Sequence, residues 1–360
     1  MVAADDGEEG ALPMQAAIIS RTGTISVGEI PDPEPGLGQV VVRVRACGVC
    51  EVDLLIADGE FASASYPVVP GHEFSGEIVE LGPAVPRHWR VGDRVAVDPA
   101  LPCGHCAACR SNNATECGQR GAIGESVNGA FAEYVAVPAA NCYRLPALMT
   151  WEQGAMTEPA SRALMGVRRF GVVAGQRSLV VGANATGLLV LQAQRLSGID
   201  VSIVDPDPGL LALAMDLGAN PISTDIAEVS GGKFDVVIDC TGDPEGMEGA
   251  FDAVHTDGRL LLFGTPHAGA RTQLSRVPFN EQEAGVNHSM AVLNNFGLAM
   301  GLIESGAIQT DPLLTHALPL EEFDEALMLI SGGIGLKLQV LPDFEVLTAE
   351  QLTEFGGPDV

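Results

Sequence analysis

The sequence predicts a two-domain α/β protein, with an all-β, barrel-like unit followed by a doubly wound parallel sheet. Three observations carry that prediction. The chain has 360 residues, more than one domain of ordinary size accommodates. From Met14 to Leu145 it is built of short β-branched runs punctuated by Gly and Pro. Beyond residue 175 the pattern changes to buried strand, helix, buried strand.

In the first part, VVVRVRAC (40–47), SGEIVEL (75–81), DRVAVDP (93–99) and AEYVAVP (132–138) read as strands. Their spacing suits a barrel. Short helices are expected near residues 50–58 and 151–170. In the second part SLVVGA (178–183), VSIVD (201–205), FDVVIDC (234–240) and GRLLLFG (258–264) have the continuous apolar character of strands covered on both faces. The segments TGLLVLQAQRLSG (186–198) and PGLLALAMDLG (208–218) between them are helical, which implies right-handed crossovers. From about residue 292 a helix, NNFGLAMGLIESG, is followed by PLLTHALPL, a second helix in LEEFDEALMLISGG, and the strand GLKLQVLP. Residues 1–13 read as a flexible acidic leader and 344–360 as an acidic tail.

Charge narrows the function classes. Nineteen Lys plus Arg against 47 Asp plus Glu give a formal net charge of −28, and only Lys233 and Lys337 are lysines. Such a surface repels phosphate backbones and anionic lipid, so neither nucleic acid nor a membrane surface is an expected partner. It suits a cationic ligand, or is simply a soluble acidic surface. The N-terminus MVAADDGEEGALP lacks the basic and apolar regions of a signal peptide. The uncharged run Ser178–Gln194 is short for a membrane span and contains Asn184, Thr186 and Gln192. The expected location is the cytoplasm.

Four of the eight cysteines form the cluster Cys103-x2-Cys106-x2-Cys109-x7-Cys117. Four thiolates can surround one zinc ion tetrahedrally, and a full thiolate set leaves no open position, which makes the site structural. Two disulfides or an iron–sulfur cluster are the alternatives for the same cysteines. A second constellation is spread along the chain: Cys50 in CGVCEVD, His72 and Glu73 in PGHEFSGE, and Glu158 in MTEPA. One thiolate, one imidazole and one carboxylate are the donor set of a zinc site with a free coordination position.

The motifs CGVCEVD, GHEFSGEIVELG, the Cys103–Cys117 cluster, GAFAEYVAVP and TEP, followed by a nucleotide-binding pattern, resemble the zinc-dependent medium-chain alcohol and polyol dehydrogenases. The resemblance spans about residues 14–342. It implies a GroES-like catalytic domain over 1–155, a Rossmann domain over 156–294 and a return to the catalytic domain over 295–343, with catalysis in the cleft between them. It also implies a catalytic zinc on Cys50, His72 and Glu158, and two zinc ions per chain. The Glu-Pro context of Glu158 points to the sorbitol and threonine dehydrogenase branch. Glu73 is then a fourth, exchangeable ligand or a holder of water at the metal. Asp53 is expected to accept a hydrogen bond from the ring of His72 and fix its tautomer; otherwise it is a turn carboxylate. Dimers or tetramers are common in the family.

The nucleotide turn is Gly182-Ala-Asn184-Ala-Thr-Gly187, between a strand and a helix. It departs from G-x-G-x-x-G at its middle glycine, where the Asn184 amide is a candidate phosphate donor. Asp205 ends the next strand and is placed to accept the ribose hydroxyls of NAD. No Arg or Lys in 206–216 favours NADP. Thr241 and the Gly-Thr-Pro stretch 264–266 stand at strand ends near the expected nicotinamide. Lys337 is a candidate pyrophosphate partner or a solvated charge.

The implied reaction interconverts a secondary alcohol and a ketone on a polyol, sugar or cyclitol, with zinc as Lewis acid and NAD as hydride carrier. Its proton route departs from the family. Related enzymes place Ser or Thr two residues after the zinc cysteine, often with a nearby His; here Val52 stands there and Asp53-Leu54-Leu55 carries no His. Glu51 replaces the customary small residue. Glu51 or Glu73 is therefore expected as general base, unless Glu51 is a surface carboxylate. An extra carboxylate beside the metal also favours an amino-bearing polyol substrate. The competing readings are a reductase of C=N or C=C bonds, which some relatives without the relay are, and a non-catalytic nucleotide-binding homologue.

Overall fold

The computed structural model describes residues 13–21, 23–111, 113–230, 233–266, 271 and 295–343; the leader and the tail lie outside the described residues. The barrel domain comprises β1 (Pro13–Ile19), β2 (Ile25–Pro31), β3 (Gln39–Val49), α1 (Glu51–Ala57), β4 (Glu73–Leu81) and β5 (Arg94–Val97). It continues with β6 (Ala100–Leu101), α2 (Ala107–Arg110), β7 (Gly121–Ala122), β8 (Tyr134–Pro138), β9 (Cys142–Arg144) and α3 (Trp151–Ala155). The second domain starts with α4 (Thr157–Arg169), β10 (Arg177–Val181), α5 (Ala185–Arg195), β11 (Asp200–Val204) and α6 (Pro208–Asp216). It goes on through β12 (Ile222–Ser223), α7 (Ile226–Ser230), β13 (Phe234–Asp239), α8 (Pro244–Ala253), β14 (Val254–Leu262) and α9 (Phe296–Glu304). The chain closes with β15 (Leu314–Leu318), α10 (Phe323–Ser331) and β16 (Lys337–Val340).

The main sheet of the barrel domain runs β15–β16–β3–β4–β5–β9, with β8 also on β3. One edge of β3 serves two partners. Its first half pairs with β8 and its last three residues, Cys47 to Val49, pair with β16. Val40, Val42 and Val44 on β3 pack with Phe74, Ile78, Val97 and Phe131 in one core. That period-two alternation is what makes β3 a strand with one face inward.

The second domain is an open sheet in the order β12–β11–β10–β13–β14, with every described pairing parallel. Helices cover it, so the strands read as apolar runs rather than alternating ones. Two of those helices start on an Asp-Pro pair. Asp207 accepts from the amide of Gly209 at 2.6 Å and Asp243 from that of Glu245 at 3.0 Å, each just before a proline at the first helical position.

The chain changes domain between α3, which packs on β3 and β4, and α4, which packs on α5. Its return runs through α9. Helix α9 packs on α4, and its Phe296, Ala299, Met300 and Ile303 join the same core as Leu188 and Leu191 of α5. Arg168 of α4 also donates to Asn295 at 2.5 Å. Phe296 also packs against Tyr143 of β9, with ring centroids 4.8 Å apart, so the apolar face of α9 meets both domains. Among the described residues no helix is long and apolar enough to cross a membrane.

Candidate active site

Strand β3 ends at Val49, and Cys50 caps the first turn of α1. His72 lies directly before β4, the neighbour of β3, so the antiparallel pairing brings both side chains to one end of the sheet. Cys50 Sγ lies 3.3 Å from His72 Nε2, and both residues are buried. A sulfur and a nitrogen sharing one tetrahedral zinc stand about 3.6 Å apart, so the pair fits a single ion.

Asp53 lies behind the imidazole, on its Nδ1 side, at 3.9 Å. Cys50, Asp53 and His72 are mutually within 4.8 Å. The expected hydrogen bond to the ring is not made at 3.9 Å, and both facing atoms lack a partner. The reason is local: the other oxygen of Asp53 accepts from the Cys50 amide at 3.0 Å, which ties the carboxylate to the start of α1. Burial pushes the Asp53 carboxyl up to about 6, against the pull of His72. Burial lowers the His72 imidazole, but Asp53, Glu158 and Glu73 outweigh it and leave its pKa above the ordinary value.

Glu158, on the first turn of α4, is buried and its Oε2 has no partner. Its carboxyl is pushed up by burial and then by Glu73. It faces His72 and Glu73 but is not a member of the compact group of Cys50, Asp53 and His72. An unpartnered, buried carboxylate oxygen beside a thiol and an imidazole is costly unless a cation serves it. The donor set therefore fits a zinc ion.

Lys337 is neither a solvated charge nor a free phosphate ligand. It is buried, its ammonium forms an ion pair with Glu73, and it donates to the carbonyl of Val49 at 3.0 Å. The register of β16 on β3 carries it there. Burial lowers its pKa, but Glu73 and then Cys50 overcome that and raise it. Gly48 makes room for the pair, since a Cβ there would strike the Glu73 carboxylate. Glu51, by contrast, is exposed on the first turn of α1. It lines the interdomain cleft together with Cys50, Glu73, Asn184 and Thr186.

In the four-cysteine lobe, the sulfurs of Cys106 and Cys109 are 3.5 Å apart and those of Cys103 and Cys109 are 3.9 Å apart, with all four, Cys117 included, within 4.8 Å. Thiolates around one zinc stand about 3.8 Å apart, whereas a disulfide needs about 2.05 Å. All eight cysteines are free, so the disulfide alternative fails. The amide of Cys106 donates to Cys103 Sγ at 3.4 Å, and that of Cys109 to Cys106 Sγ at 3.5 Å. Such bonds favour thiolates, and Cys117 is drawn down to about 6, first by the Cys103 amide.

The nucleotide turn closes tightly. Gly182 has φ +94°, and a Cβ at Gly187 would run into the Gly182 carbonyl. Asn184 is extended at φ −65° and caps α5: it accepts from the Gly187 amide at 2.9 Å and donates to the Cys240 carbonyl at 2.8 Å. One of the two N–H donors of its amide is thus held by the protein. Asp205 is buried at the end of β11, accepting from the amides of Ala183 at 2.7 Å and Asp207 at 2.9 Å. Each oxygen keeps a further lone pair. Thr241 follows β13 and donates to Asp239 at 2.5 Å, so its hydroxyl shapes the turn beside Gly182.

Two residues of the site escape a reading of the sequence. Arg162 lines the cleft one helical turn after Glu158, a spacing that could have revealed it. Asp98, buried at the end of β5 and facing Glu158, is pushed up to about 7 by burial. No motif marks it.

Residues 36–147 match the model of the alcohol dehydrogenase GroES-like domain, and residues 185–304 match that of the zinc-binding dehydrogenases. The chain is 32% identical over 318 residues to D-arabinitol dehydrogenase 1 of Uromyces fabae, covering 85% of this chain and 90% of that one. It is 31% identical over 316 residues to D-altritol 5-dehydrogenase of Agrobacterium fabrum, covering 86% and 94%. A zinc-binding dehydrogenase structure from Sinorhizobium meliloti with NADP bound superposes with a TM-score of 0.84 at 31% identity, over 92% of this chain and all of that one. A cobalt- and zinc-bound alcohol dehydrogenase from Pyrobaculum aerophilum superposes at 0.82 with 28% identity, over 92% of this chain and 100% of that one. Two zinc-type donor sets on a GroES-like domain, joined to a Rossmann sheet, and relatives that span nearly the whole chain place this protein in the zinc-dependent medium-chain dehydrogenase family.

Proposed function

We propose that the protein is an oxidoreductase that interconverts a secondary alcohol and a ketone on a polyol or cyclitol, with NAD as the preferred cofactor and two zinc ions per chain. The observation that carries this reading is the buried Cys50–His72 pair at 3.3 Å with the unpartnered carboxylate of Glu158 beside it, opening on the interdomain cleft. Cys50, His72 and Glu158 hold one ion, and Cys103, Cys106, Cys109 and Cys117 hold the other. At the first site zinc supplies Lewis acidity toward the substrate oxygen.

The chain's own residues supply the rest. Asp53 stands behind the His72 ring on its Nδ1 side, while Nε2 faces Cys50. Glu73 is held by Lys337, which leaves Glu51, exposed on the cleft wall, as the general base for the hydroxyl proton. Asp205 at the end of β11 receives the ribose hydroxyls, and a carboxylate there disfavours a 2′-phosphate.

The substrate class we favour carries an amine. A second hollow beside Glu51 is lined by Glu51, Asp58 and Glu60, with Thr265 and Ser331 and no Lys or Arg among its lining residues. An ammonium group is favoured there over a neutral hydroxyl, and more so at low salt. We take it to be a cytoplasmic dimer or tetramer, as is common in the family.

The test is metal analysis with NADH formation on a panel that pairs each polyol with its amino analogue, at low and high salt. Two zinc ions per chain, turnover with NAD and loss of turnover in His72→Asn are expected. One zinc per chain, or no turnover on any polyol, overturns the assignment. Equal kcat/KM for amino and hydroxy forms at both salt levels overturns the amine preference alone. An unchanged pH–rate profile in Glu51→Gln removes Glu51 from the proton route.

A further inference from the structure

The cleft between the domains carries two cations and two carboxylates on its walls: Lys337, Arg162, Glu51 and Glu73. Lys337 is committed to Glu73 and to the Val49 carbonyl. Among the described residues Arg162 makes no ion pair within 4 Å; its charge acts from further off on Glu158 and Cys240, and its one ring contact is with Phe263, at 5.4 Å from the ring centroid. Gly166, one turn further along α4, makes room for that ring, since a Cβ there would stand 2.5 Å from its edge. The aromatic face holds the guanidinium plane without consuming any of its donors.

Arg162 shares the cleft with Asn184 and Thr186 at the start of α5. In this fold the dinucleotide diphosphate lies against that helix start. The one side-chain amide in the turn, that of Asn184, is uncharged and gives one of its two N–H donors to the Cys240 carbonyl. Glu51 on the opposite wall repels a diphosphate, and so does a chain of net charge −28. A dianion entering this cleft needs a fixed positive group, and the described walls offer one that is not already paired. A guanidinium meets that need, since it stays charged at every working pH and presents paired N–H donors to phosphate oxygens.

We propose that Arg162 binds the diphosphate of the nicotinamide dinucleotide, the part that the sequence pattern suggests for Lys337. This inference rests on the dinucleotide reading above. It assigns the residue a binding role, with α4 carrying Glu158 toward the metal and Arg162 toward the cofactor on one helical face.

The test is calorimetric titration of the zinc-loaded full chain and its Arg162→Met and Arg162→Lys variants with NADH, ADP-ribose, adenosine and galactitol 1-phosphate. Arg162→Met is expected to weaken NADH and ADP-ribose about 10- to 100-fold, the range of a charge-assisted hydrogen-bonded contact, with adenosine unchanged. Arg162→Lys should recover part of the loss, and the salt dependence of NADH binding should become shallower in Arg162→Met. Wild-type affinity for NADH and ADP-ribose in Arg162→Met overturns the proposal. So does an equal loss for adenosine, which marks a structural role, or a loss confined to galactitol 1-phosphate, which marks a substrate phosphate site. If the wild-type chain binds no NADH at all, the dinucleotide reading itself fails, and that outcome is distinct from a variant that binds normally.

Discussion

Replacing Lys337 by Met isolates the energetics of the buried pair beside the metal site. Lys337 is 6% exposed and Glu73 3%, so water cannot stand in for the lost ammonium. Removing one partner of such a pair costs about 3–5 kcal/mol, because the other charge stays buried without compensation. The carbonyl of Val49 loses its donor as well, which adds about 1 kcal/mol. Glu73→Gln alone leaves the ammonium unpaired and costs a similar amount. In the double variant both charges are gone, so most of the loss should return and the coupling energy should be at least about 2 kcal/mol. Urea unfolding of the zinc-loaded protein reads this out. Both tryptophans, Trp89 and Trp151, lie in the barrel domain, so their fluorescence reports the part of the molecule that holds the pair. Single-variant losses that add in the double variant within about 0.5 kcal/mol would refute the claim that the two charges depend on each other.

Other outcomes follow from the geometry. Asp98, raised to about 7 from an ordinary 3.8, holds its proton in the folded chain where the unfolded chain has lost it, so its contribution is present below pH 3.8 and disappears as pH rises through 7. Asp98→Asn should therefore gain on wild type progressively over that window, by at most about 4 kcal/mol at pH 8; a stability difference that does not vary with pH refutes the burial argument. Cys106→Ser should release one zinc per chain, and expose the lobe around residues 103–117 to proteolysis, while NADH binding persists; unchanged metal content counts against a four-thiolate site. Gly48→Ala forces a methyl group against the Glu73 carboxylate and the Lys337 side chain, and should cost about 1–3 kcal/mol in urea unfolding; wild-type stability would mean the pair has slack.

Local patterns were legible in the sequence and long-range placements were not. The four-cysteine lobe could be read because its ligands lie within one loop and their spacing already dictates convergence. Gly182 and Gly187 could be read because the turn they permit is short. Lys337 could not: its partners on β3 and β4 precede it by most of the chain, and only the register of β16 on β3 shows that the side chain turns inward. The capping of α5 by the Asn184 oxygen is local, but the bond of its amide nitrogen to the Cys240 carbonyl depends on another strand. An apolar helix such as α9 fits either domain by composition, and only its contacts with both α4 and Tyr143 show that it touches the two. The hydrogen bond expected from the His72 ring to Asp53 is not made, because the tie of Asp53 to the Cys50 amide is a matter of rotamer rather than of spacing.

The place of β16 bears on how the polypeptide is made. This strand is inserted between β15 and β3, and it is the last regular element described. During synthesis the first nine strands and the whole parallel sheet leave the ribosome before residue 337 does. Until then part of β3 is an open edge, and Glu73 has no counter-ion within a hydrophobic wall. A nascent chain that stops short of this point presents both defects at once, an unsealed seam and a stranded acid.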